Sequence, residues 1–284
     1  MSTDPLVIIG AGVMGTGIAA LALGHGTPVV LVDVSTAILD RARQRVRRQL
    51  QHGRLMGAYP ADRPDASLTT VEALDAGLRP VAVIEAINED ASTKAKVLTQ
   101  LSETLPPGIP LITNTSSIPL AELAAPLARP AELVGVHFMN PAYLVTMTEL
   151  VCGRLTGQAT VAAASGLLES WGRRVVVVRD APGFVTSRLL HPMINEAARL
   201  VDAGTAGAEE VDALMEGCLG HRAGPLRTAD LIGLDNLADS LRELAKRTEN
   251  PGYEPCDLLL SKVAQGHLGR KSGRGFYEYG DVMS

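Results

Sequence analysis

Three glycines near the N terminus have the spacing needed to hold the pyrophosphate of a dinucleotide. Gly10, Gly12 and Gly15 follow the apolar run Leu6–Ile9 and open an apolar helical pattern. Gly10 permits a tight turn, Gly12 lets the backbone approach the phosphates, and Gly15 allows close helix packing. Asp33 ends the next predicted strand, where its carboxylate can accept from the adenosine ribose and would repel a 2′-phosphate. The pattern predicts an NAD site; the alternative is a glycine turn of another α/β fold in which Asp33 caps a helix.

One histidine is placed for proton transfer at an alcohol carbon. His137 ends the apolar run Leu133–Val136 and opens the segment His-Phe-Met-Asn-Pro. A nicotinamide dehydrogenase needs a group that takes the hydroxyl proton as hydride leaves, and histidine suits this role near neutral pH. The other histidines fall in helical or turn segments. Because ligands bind at the carboxyl ends of strands in open α/β sheets, His137 is the candidate acid/base, although a structural role remains an alternative.

The elements that must position these residues alternate between short β-branched runs and longer helical patterns, which is typical of βαβ units. After Asp180-Ala181-Pro182-Gly183 only helical patterns follow, including one predicted over Pro225–Arg247, and residues 52–66 are predicted to be loop. We therefore expect an α/β fold. A Rossmann-type doubly wound sheet is predicted over residues 1–181, and a smaller all-helical domain over residues 182–284.

Composition limits the function classes. The chain has 284 residues, 46% hydrophobic and 20% charged, as expected of a globular protein. The N terminus lacks a signal pattern and no apolar run approaches the roughly 20 residues of a membrane span, so we expect a cytoplasmic protein without a membrane partner. The formal charge of -5 argues against nucleic acid as a partner. The cysteines lack metal-ligand spacing, so no metal is expected, and they are interpreted as reduced: Cys152, Cys218 and Cys256.

A set of motifs in order along the chain resembles the 3-hydroxyacyl-CoA dehydrogenase family. The matching segments are Gly10–Gly15, Asn114–Ser117, His137–Pro141, Glu149, Pro182–Phe184 and Gly269–Tyr277. The resemblance implies that His137 is the acid/base, that Glu149 orients and polarises its imidazole, and that Ser116 hydrogen-bonds the substrate oxygen. The implied reaction is hydride transfer between NAD and C3 of a short 3-hydroxyacyl or 3-oxoacyl thioester, as in fatty acid metabolism.

The resemblance also implies further cofactor contacts and a role for the second domain. The contacts are Asp33, Glu89, Lys94, Asn140 and Lys271. A solvated helix pair remains an alternative for Glu89 and Lys94, and a surface lysine for Lys271. The helical domain is expected to form a homodimer and to close over the acyl thioester.

The chain departs from the family pattern where the acyl group and its carrier would bind. Ser187 stands where the family has an asparagine that binds the substrate carbonyl, and a hydroxyl offers fewer donors than an amide. Residues 142–146 read Ala-Tyr-Leu-Val-Thr, whereas the family usually has a sequence similar to Pro-Val-Pro-Val-Met-Lys after the His-Phe-x-Asn-Pro motif. The hydroxyls of Tyr143, Thr146 and Ser187 predict a small, polar acyl group. Residues 53–65 are short and poor in lysine for a segment that reaches towards CoA phosphates, where Arg54 alone can substitute.

Other hypotheses follow from these departures. The carrier is either CoA or an acyl carrier protein, as in polyketide extender-unit biosynthesis, with Arg41, Arg45 and Arg48 facing an acidic carrier; a solvated basic helix face is the alternative. A non-catalytic nucleotide-binding structural or sensory protein is a hypothesis of another class. A dehydrogenase of free hydroxy acids or sugar acids is a third.

Overall fold

The computed structural model describes residues 4–75 and 77–280. The chain divides into two compact units, Met1–Ala181 and Pro182–Ser284. Each unit has its own hydrophobic core, one centred on a sheet and one on packed helices.

The described part of the first unit is built on one eight-stranded sheet in the order β3-β2-β1-β4-β5-β6-β7-β8. The strands are β1 Leu6–Ile9, β2 Val29–Val32, β3 Leu68–Val71, β4 Ala82–Glu85, β5 Leu111–Thr113, β6 Leu133–His137, β7 Met147–Cys152 and β8 Arg174–Arg179. All neighbouring pairs are parallel except β6 and β7, which are antiparallel. The order reverses between β1 and β4, and this is where a doubly wound sheet opens a crevice for ligands.

Five helices accompany this sheet in the described residues. They are α1 Val13–Gly24, α2 Thr36–Leu55, α3 Ala91–Thr104, α4 Leu120–Ala124 and α5 Gln158–Ser170. Helix α1 is buried from Gly15 to Gly24, because it packs into the core next to β1 and β2. The predicted fold class is confirmed for this unit.

Two local predictions in the first unit are wrong. Helix α2 continues to Leu55, so residues 52–55 are helical rather than loop. Gly53 lies inside this helix and not at its end. A Cβ at Gly53 would lie 2.5 Å from the ring of Tyr59, so the glycine allows that ring to pack against the helix. Strand β3, Leu68–Val71, was not predicted, since its half-exposed Leu-Thr-Thr-Val sequence lacks the apolar run of a central strand.

The second unit is helical, as predicted, with α6 Thr186–Asp202, α7 Ala208–Leu219, α8 Pro225–Ile232, α9 Leu234–Thr248 and α10 Asp257–Ala264. The single helix predicted over Pro225–Arg247 is wrong, because Gly233 interrupts it with a φ of 96°. The core of the unit is formed mainly by Ile194, Leu226, Leu234, Leu237, Leu241 and Leu259.

A buried carboxylate explains the glycine-rich C-terminal motif. Asp230 is 1% exposed and accepts from the backbone N–H groups of Phe276 and Tyr277 at 2.9 and 3.0 Å. It also accepts from the Tyr279 hydroxyl at 2.9 Å. A Cβ at Gly275 would lie 2.0 Å from Asp230 Oδ1. The Gly-Phe-Tyr segment is therefore attached to α8 through one aspartate.

Candidate active site

The carboxyl ends of four neighbouring strands bring most of the predicted site residues to one edge of the sheet. The register pairs Ile9 with Glu85, Glu85 with Thr113, and Thr113 with Gly135. His137 is the last residue of β6, two positions beyond that row. The glycine turn after β1, the segment after β4, the Asn114–Ser117 turn after β5 and His137 therefore share this edge.

His137 and Glu149 form a buried pair. His137 Nδ1 lies 2.8 Å from Glu149 Oε2, and the two residues are 8% and 6% exposed. The antiparallel pairing of β6 and β7 places them directly opposite each other. Residues opposite each other on one face of an antiparallel pair have neighbouring side chains. The loop of residues 138–146 between the two strands therefore brings into contact two side chains that are 12 positions apart in the sequence.

The turn after β1 fits a dinucleotide. Gly10 has a φ of 103°, and a Cβ there would lie 2.6 Å from the Ala86 carbonyl oxygen. Gly12 is the exposed N-cap of α1, with no heavy atom within 4 Å of an added Cβ and no side-chain cap. The first N–H groups of α1 therefore have no acceptor from the N-cap side chain and can donate to a phosphate at this helix end. Asp33 follows β2, and its Oδ2 accepts from Ala11 N at 2.9 Å, which places its carboxylate beside the turn.

Glu89 and Lys94 belong to a charged cluster that includes a residue not singled out from the sequence. Lys94 is 1% exposed, and its Nζ lies 2.7 Å from Glu85 Oε1 and 3.2 Å from Glu89 Oε2. Glu85 is fully buried and also accepts from Ile87 N at 2.8 Å and Thr113 Oγ1 at 2.7 Å. A solvated helix pair is thereby excluded. In the sequence, the indication of a role for Glu85 is that this glutamate directly follows three apolar strand residues.

The other carboxylate oxygen of Glu89, Oε1, contacts the turn that carries Ser116. Glu89 Oε1 accepts from Thr115 Oγ1 at 2.6 Å, Ser116 N at 2.8 Å and Ser117 N at 3.0 Å. Burial opposes ionisation, but Lys94 and these hydrogen bonds outweigh it and lower the pKa of Glu89 below its usual value. Glu89 is therefore an anion that caps the turn.

Asn114 joins the same turn to the histidine strand. Its Oδ1 accepts from the backbone N–H of Phe138 at 3.2 Å, and its own N–H donates to the Glu85 carbonyl at 2.9 Å. Phe138 directly follows His137. The Ser116 turn and the His137 strand end are thus connected through backbone groups.

The loop after His137 differs from the expected polar pocket at one position. The ring of Tyr143 is buried, and its hydroxyl lies 3.0 Å from Nδ1 of His52 on α2. The hydroxyl of Tyr143, which was expected to face the acyl group, is therefore hydrogen-bonded to a histidine instead. Thr146 is exposed. Asn140, predicted as a cofactor contact, is exposed near the start of this loop and precedes the cis peptide bond to Pro141.

Three other predicted residues have the following surroundings. Arg54 Nη2 lies 2.6 Å from Asp65 Oδ1, so its charge is partly compensated within the first unit. Ser187 is buried in the first turn of α6. Lys271 Nζ lies 2.6 Å from a carboxylate oxygen of Asp235 in the same unit.

Residues 4–75 and 77–280 contain neither a candidate membrane span nor a candidate metal site. No helix there has the length and apolar character to cross a membrane. No group of three or more histidine, cysteine, aspartate or glutamate side chains in that part of the chain is arranged to hold a metal ion.

Comparisons with known proteins agree with the resemblance. The 3-hydroxyacyl-CoA dehydrogenase NAD binding domain matches residues 5–181, and the C-terminal domain of the same family matches residues 183–279. A probable 3-hydroxybutyryl-CoA dehydrogenase of Bacillus subtilis is 37% identical over 291 residues, covering 100% of each chain.

Solved structures show the same relationship. FadB2 of Mycobacterium tuberculosis superposes with a TM-score of 0.91 at 33% identity, covering 98% of this chain and 100% of that one. The (S)-3-hydroxybutyryl-CoA dehydrogenase of Ralstonia eutropha superposes with a TM-score of 0.87 at 34% identity, covering 99% of this chain and 100% of that one. Both domains of the family match this chain, and its glycine turn and Asp33 fit NAD, so it belongs to the 3-hydroxyacyl-CoA dehydrogenase family of NAD-dependent oxidoreductases.

Proposed function

We propose that the protein interconverts a short 3-hydroxyacyl thioester and the corresponding 3-oxoacyl thioester, with His137 as acid/base and Glu149 as its partner. The observation that supports this most is the buried 2.8 Å contact between His137 Nδ1 and Glu149 Oε2. The pair lies at the sheet edge that also carries the dinucleotide turn.

The steps follow from this contact. In the oxidation direction, the 3-hydroxyl proton passes to Nε2 of His137, because Nδ1 is engaged by Glu149, and the C3 hydrogen leaves with its electron pair. Bound NAD+ supplies the hydride acceptor. The carboxylate of Glu149 offsets the charge of the imidazolium, and the Ser116 hydroxyl donates to the oxygen that becomes the carbonyl. Reduction reverses each transfer.

The remaining predicted residues bind or orient in this scheme. Asp33 accepts from the adenosine ribose, while Glu89, Lys94, Asn140 and Lys271 contribute to the cofactor site, as the family resemblance implies. Ser187 donates to the thioester carbonyl in place of an asparagine. The helical unit forms the homodimer interface.

A substrate panel tests the proposal. Short 3-oxoacyl groups, with and without a terminal polar group, are offered as CoA thioesters and as free acids, and NADH absorbance is followed. We expect turnover of thioesters only. Turnover of free acids alone would instead support the hydroxy-acid dehydrogenase, and NADH binding without turnover of any compound would support the non-catalytic nucleotide-binding protein.

A second candidate function uses an acyl carrier protein as the thioester carrier, in polyketide extender-unit biosynthesis. Arg41, Arg45 and Arg48 lie on one side of α2 at helical spacing, and Arg41 and Arg48 are exposed. His52, one turn further along that side, contacts Tyr143 in the loop after His137. The basic stripe therefore leads towards the candidate active site, and it would attract the acidic surface of a carrier.

Charge reversal tests this candidate. The triple variant Arg41→Glu, Arg45→Glu, Arg48→Glu should raise the KM for a carrier-bound substrate by at least about tenfold, because several surface charges change sign. The same acyl group on uncharged pantetheine is the control and should be unaffected. Equal effects on both substrates would exclude carrier docking on α2.

A further inference from the structure

We propose that Tyr143 is a positioning residue that acts through His52. The hydrogen bond between these two side chains holds the loop of residues 138–146, and through that loop it holds His137 in the place that proton transfer requires. The proposal deepens the proposed function and rests on it, because this loop joins the proposed acid/base to its partner Glu149.

The first step is that His137 depends on the loop. His137 is the last residue of β6, and its pair with Glu149 is the last one of the β6–β7 register. Residues 138–146 follow it outside the sheet. The ends of strands open more readily than their centres, because fewer contacts hold them. The position of His137 therefore depends on contacts that hold the loop from outside these two strands.

The second step concerns the end of the loop next to β7, which is attached to the beginning of β8. Arg173 is buried, and its Nη1 donates to the Val145 carbonyl at 2.7 Å while its Nε donates to the Trp171 carbonyl at 2.9 Å. Burial lowers the pKa of this guanidinium, so its place costs free energy, which these hydrogen bonds offset. The Thr146 carbonyl also accepts from Arg174 N at 2.7 Å.

The third step concerns the middle of the loop, which is attached to α2. The Tyr143 ring is 6% exposed and packs in the core of the first unit. Its hydroxyl lies 3.0 Å from Nδ1 of His52, and the two rings meet edge to face with centroids 5.9 Å apart. A buried tyrosine hydroxyl needs a hydrogen-bond partner, and a directional bond fixes the ring and the backbone that carries it.

The same contact separates this role from substrate recognition. Because the ring is buried and the hydroxyl is bonded to His52, little of Tyr143 remains to contact an acyl group. The effect of Tyr143 on the reaction should therefore depend on His52 and not on the acyl chain.

Tyr143→Phe in the full-length protein removes the hydroxyl and keeps the ring. The kcat for acetoacetyl-CoA should fall about 3- to 10-fold, the range for one hydrogen bond. The KM should change less than about twofold, because the side chain does not touch the substrate.

Tyr59→Phe is the matched control. Tyr59 is also buried and packs against Gly53, the neighbour of His52. Its hydroxyl has no hydrogen-bond partner in the described part of the chain. The variant therefore makes the same chemical change without breaking a hydrogen bond, and its kinetics should match wild type.

A double-mutant cycle tests whether Tyr143 acts through His52. His52→Ala should lower kcat as much as Tyr143→Phe does, and the double variant should lose no more than either single variant, because all three lack the same hydrogen bond. His52→Asn keeps a polar atom as far along the side chain as Nδ1 and should retain most of the activity.

Amide hydrogen exchange gives a readout that is independent of turnover. Exchange in residues 138–146 should become faster in Tyr143→Phe and in His52→Ala, because both release the middle of the loop. It should remain as in wild type in Tyr59→Phe.

The outcomes separate this role from the proposed function. Wild-type kcat or wild-type exchange in Tyr143→Phe, or losses that add in the double variant, would overturn the positioning role and leave the proposed function in place. A loss that appears in KM and varies with the acyl chain would make Tyr143 a substrate contact instead. If wild type turns over no thioester, the proposed function and the positioning role within it are both wrong.

Discussion

At the scale of single residues, the site depends on carboxylates whose partners are fixed by strand register. Glu149 faces His137 because β6 and β7 are antiparallel and pair these two positions. Glu85 faces Thr113 because β4 and β5 are parallel and in register. Asp33 accepts from Ala11 because the turn after β1 lies beside the end of β2. Glu149 contacts the proposed acid/base, and Glu85 and Asp33 lie beside residues that are proposed to bind the cofactor.

Asp33 should determine cofactor preference. Its charge would repel a 2′-phosphate, whereas serine would not, so Asp33→Ser should narrow the preference for NAD over NADP by about tenfold or more, the effect of one removed charge repulsion of over 1 kcal/mol. The measurement is kcat/KM with each cofactor. An unchanged ratio would show that the carboxylate only fixes the Ala11 backbone.

Glu149→Gln should act mainly on turnover. Glutamine keeps an acceptor for Nδ1 of His137 but lacks the charge that offsets the imidazolium, so kcat should fall roughly 10- to 1,000-fold. The KM for the thioester and the Kd for NADH should change much less, since neither depends on that charge. A rise in KM with wild-type kcat would indicate a binding or structural role for Glu149 instead.

At the scale of elements, glycines and one histidine determine where helices end and how stable those ends are. Gly233 separates α8 from α9 in a conformation that side-chain residues rarely adopt, with φ 96° and ψ 124°. His25 ends α1, where its ring is buried and its Nδ1 lies 2.9 Å from the Leu21 carbonyl oxygen. Both positions allow predictions about stability.

Gly233→Ala should destabilise the protein by about 1–3 kcal/mol, the usual cost of such backbone strain. A Cβ there would also lie 3.1 Å from Lys271 Nζ. Gly217→Ala is the control, because Gly217 lies inside α7 with no heavy atom within 4 Å of an added Cβ, and alanine there should stabilise slightly. Denaturant unfolding measures both, and equal effects would contradict the strain at Gly233.

The stability of the protein should fall in mild acid because of His25. Burial lowers the pKa of His25 most, with Arg173 and Arg63 adding to the effect and the Leu21 carbonyl opposing it. The folded state therefore binds this proton less readily than the unfolded chain, whose histidine titrates near 6.5. The contribution of neutral His25 is complete above that pH and is lost as the pH falls below it.

His25→Gln tests this pH dependence. Glutamine cannot gain a proton in this range, so the free energy of unfolding of the variant should fall less between pH 8 and pH 5.5 than that of wild type, whatever the variant loses at pH 8. Equal falls in the two proteins would assign the acid sensitivity to other groups.

At the scale of the whole molecule, the sequence predicted the architecture and much of the candidate site, but not the contacts that organise it. The doubly wound sheet and helical second unit follow from apolar periodicity, which burial imposes on central strands and helices. Strand β3 was missed because an edge strand needs no apolar run. Glu85 was missed because its importance comes from Lys94 and Thr113, and no local pattern shows that these three side chains meet. Likewise, the hydroxyl of Tyr143 was expected at the acyl group, whereas the fold pairs it with His52.

The central claim is that His137 transfers the substrate proton, and His137→Ala tests it most directly. NADH oxidation by acetoacetyl-CoA should slow roughly 100- to 10,000-fold, the usual contribution of a positioned acid/base. NADH affinity and the unfolding midpoint should stay close to wild type, so that the loss is one of chemistry. Unchanged turnover in the variant would contradict the account, because the His137–Glu149 pair would then be structural.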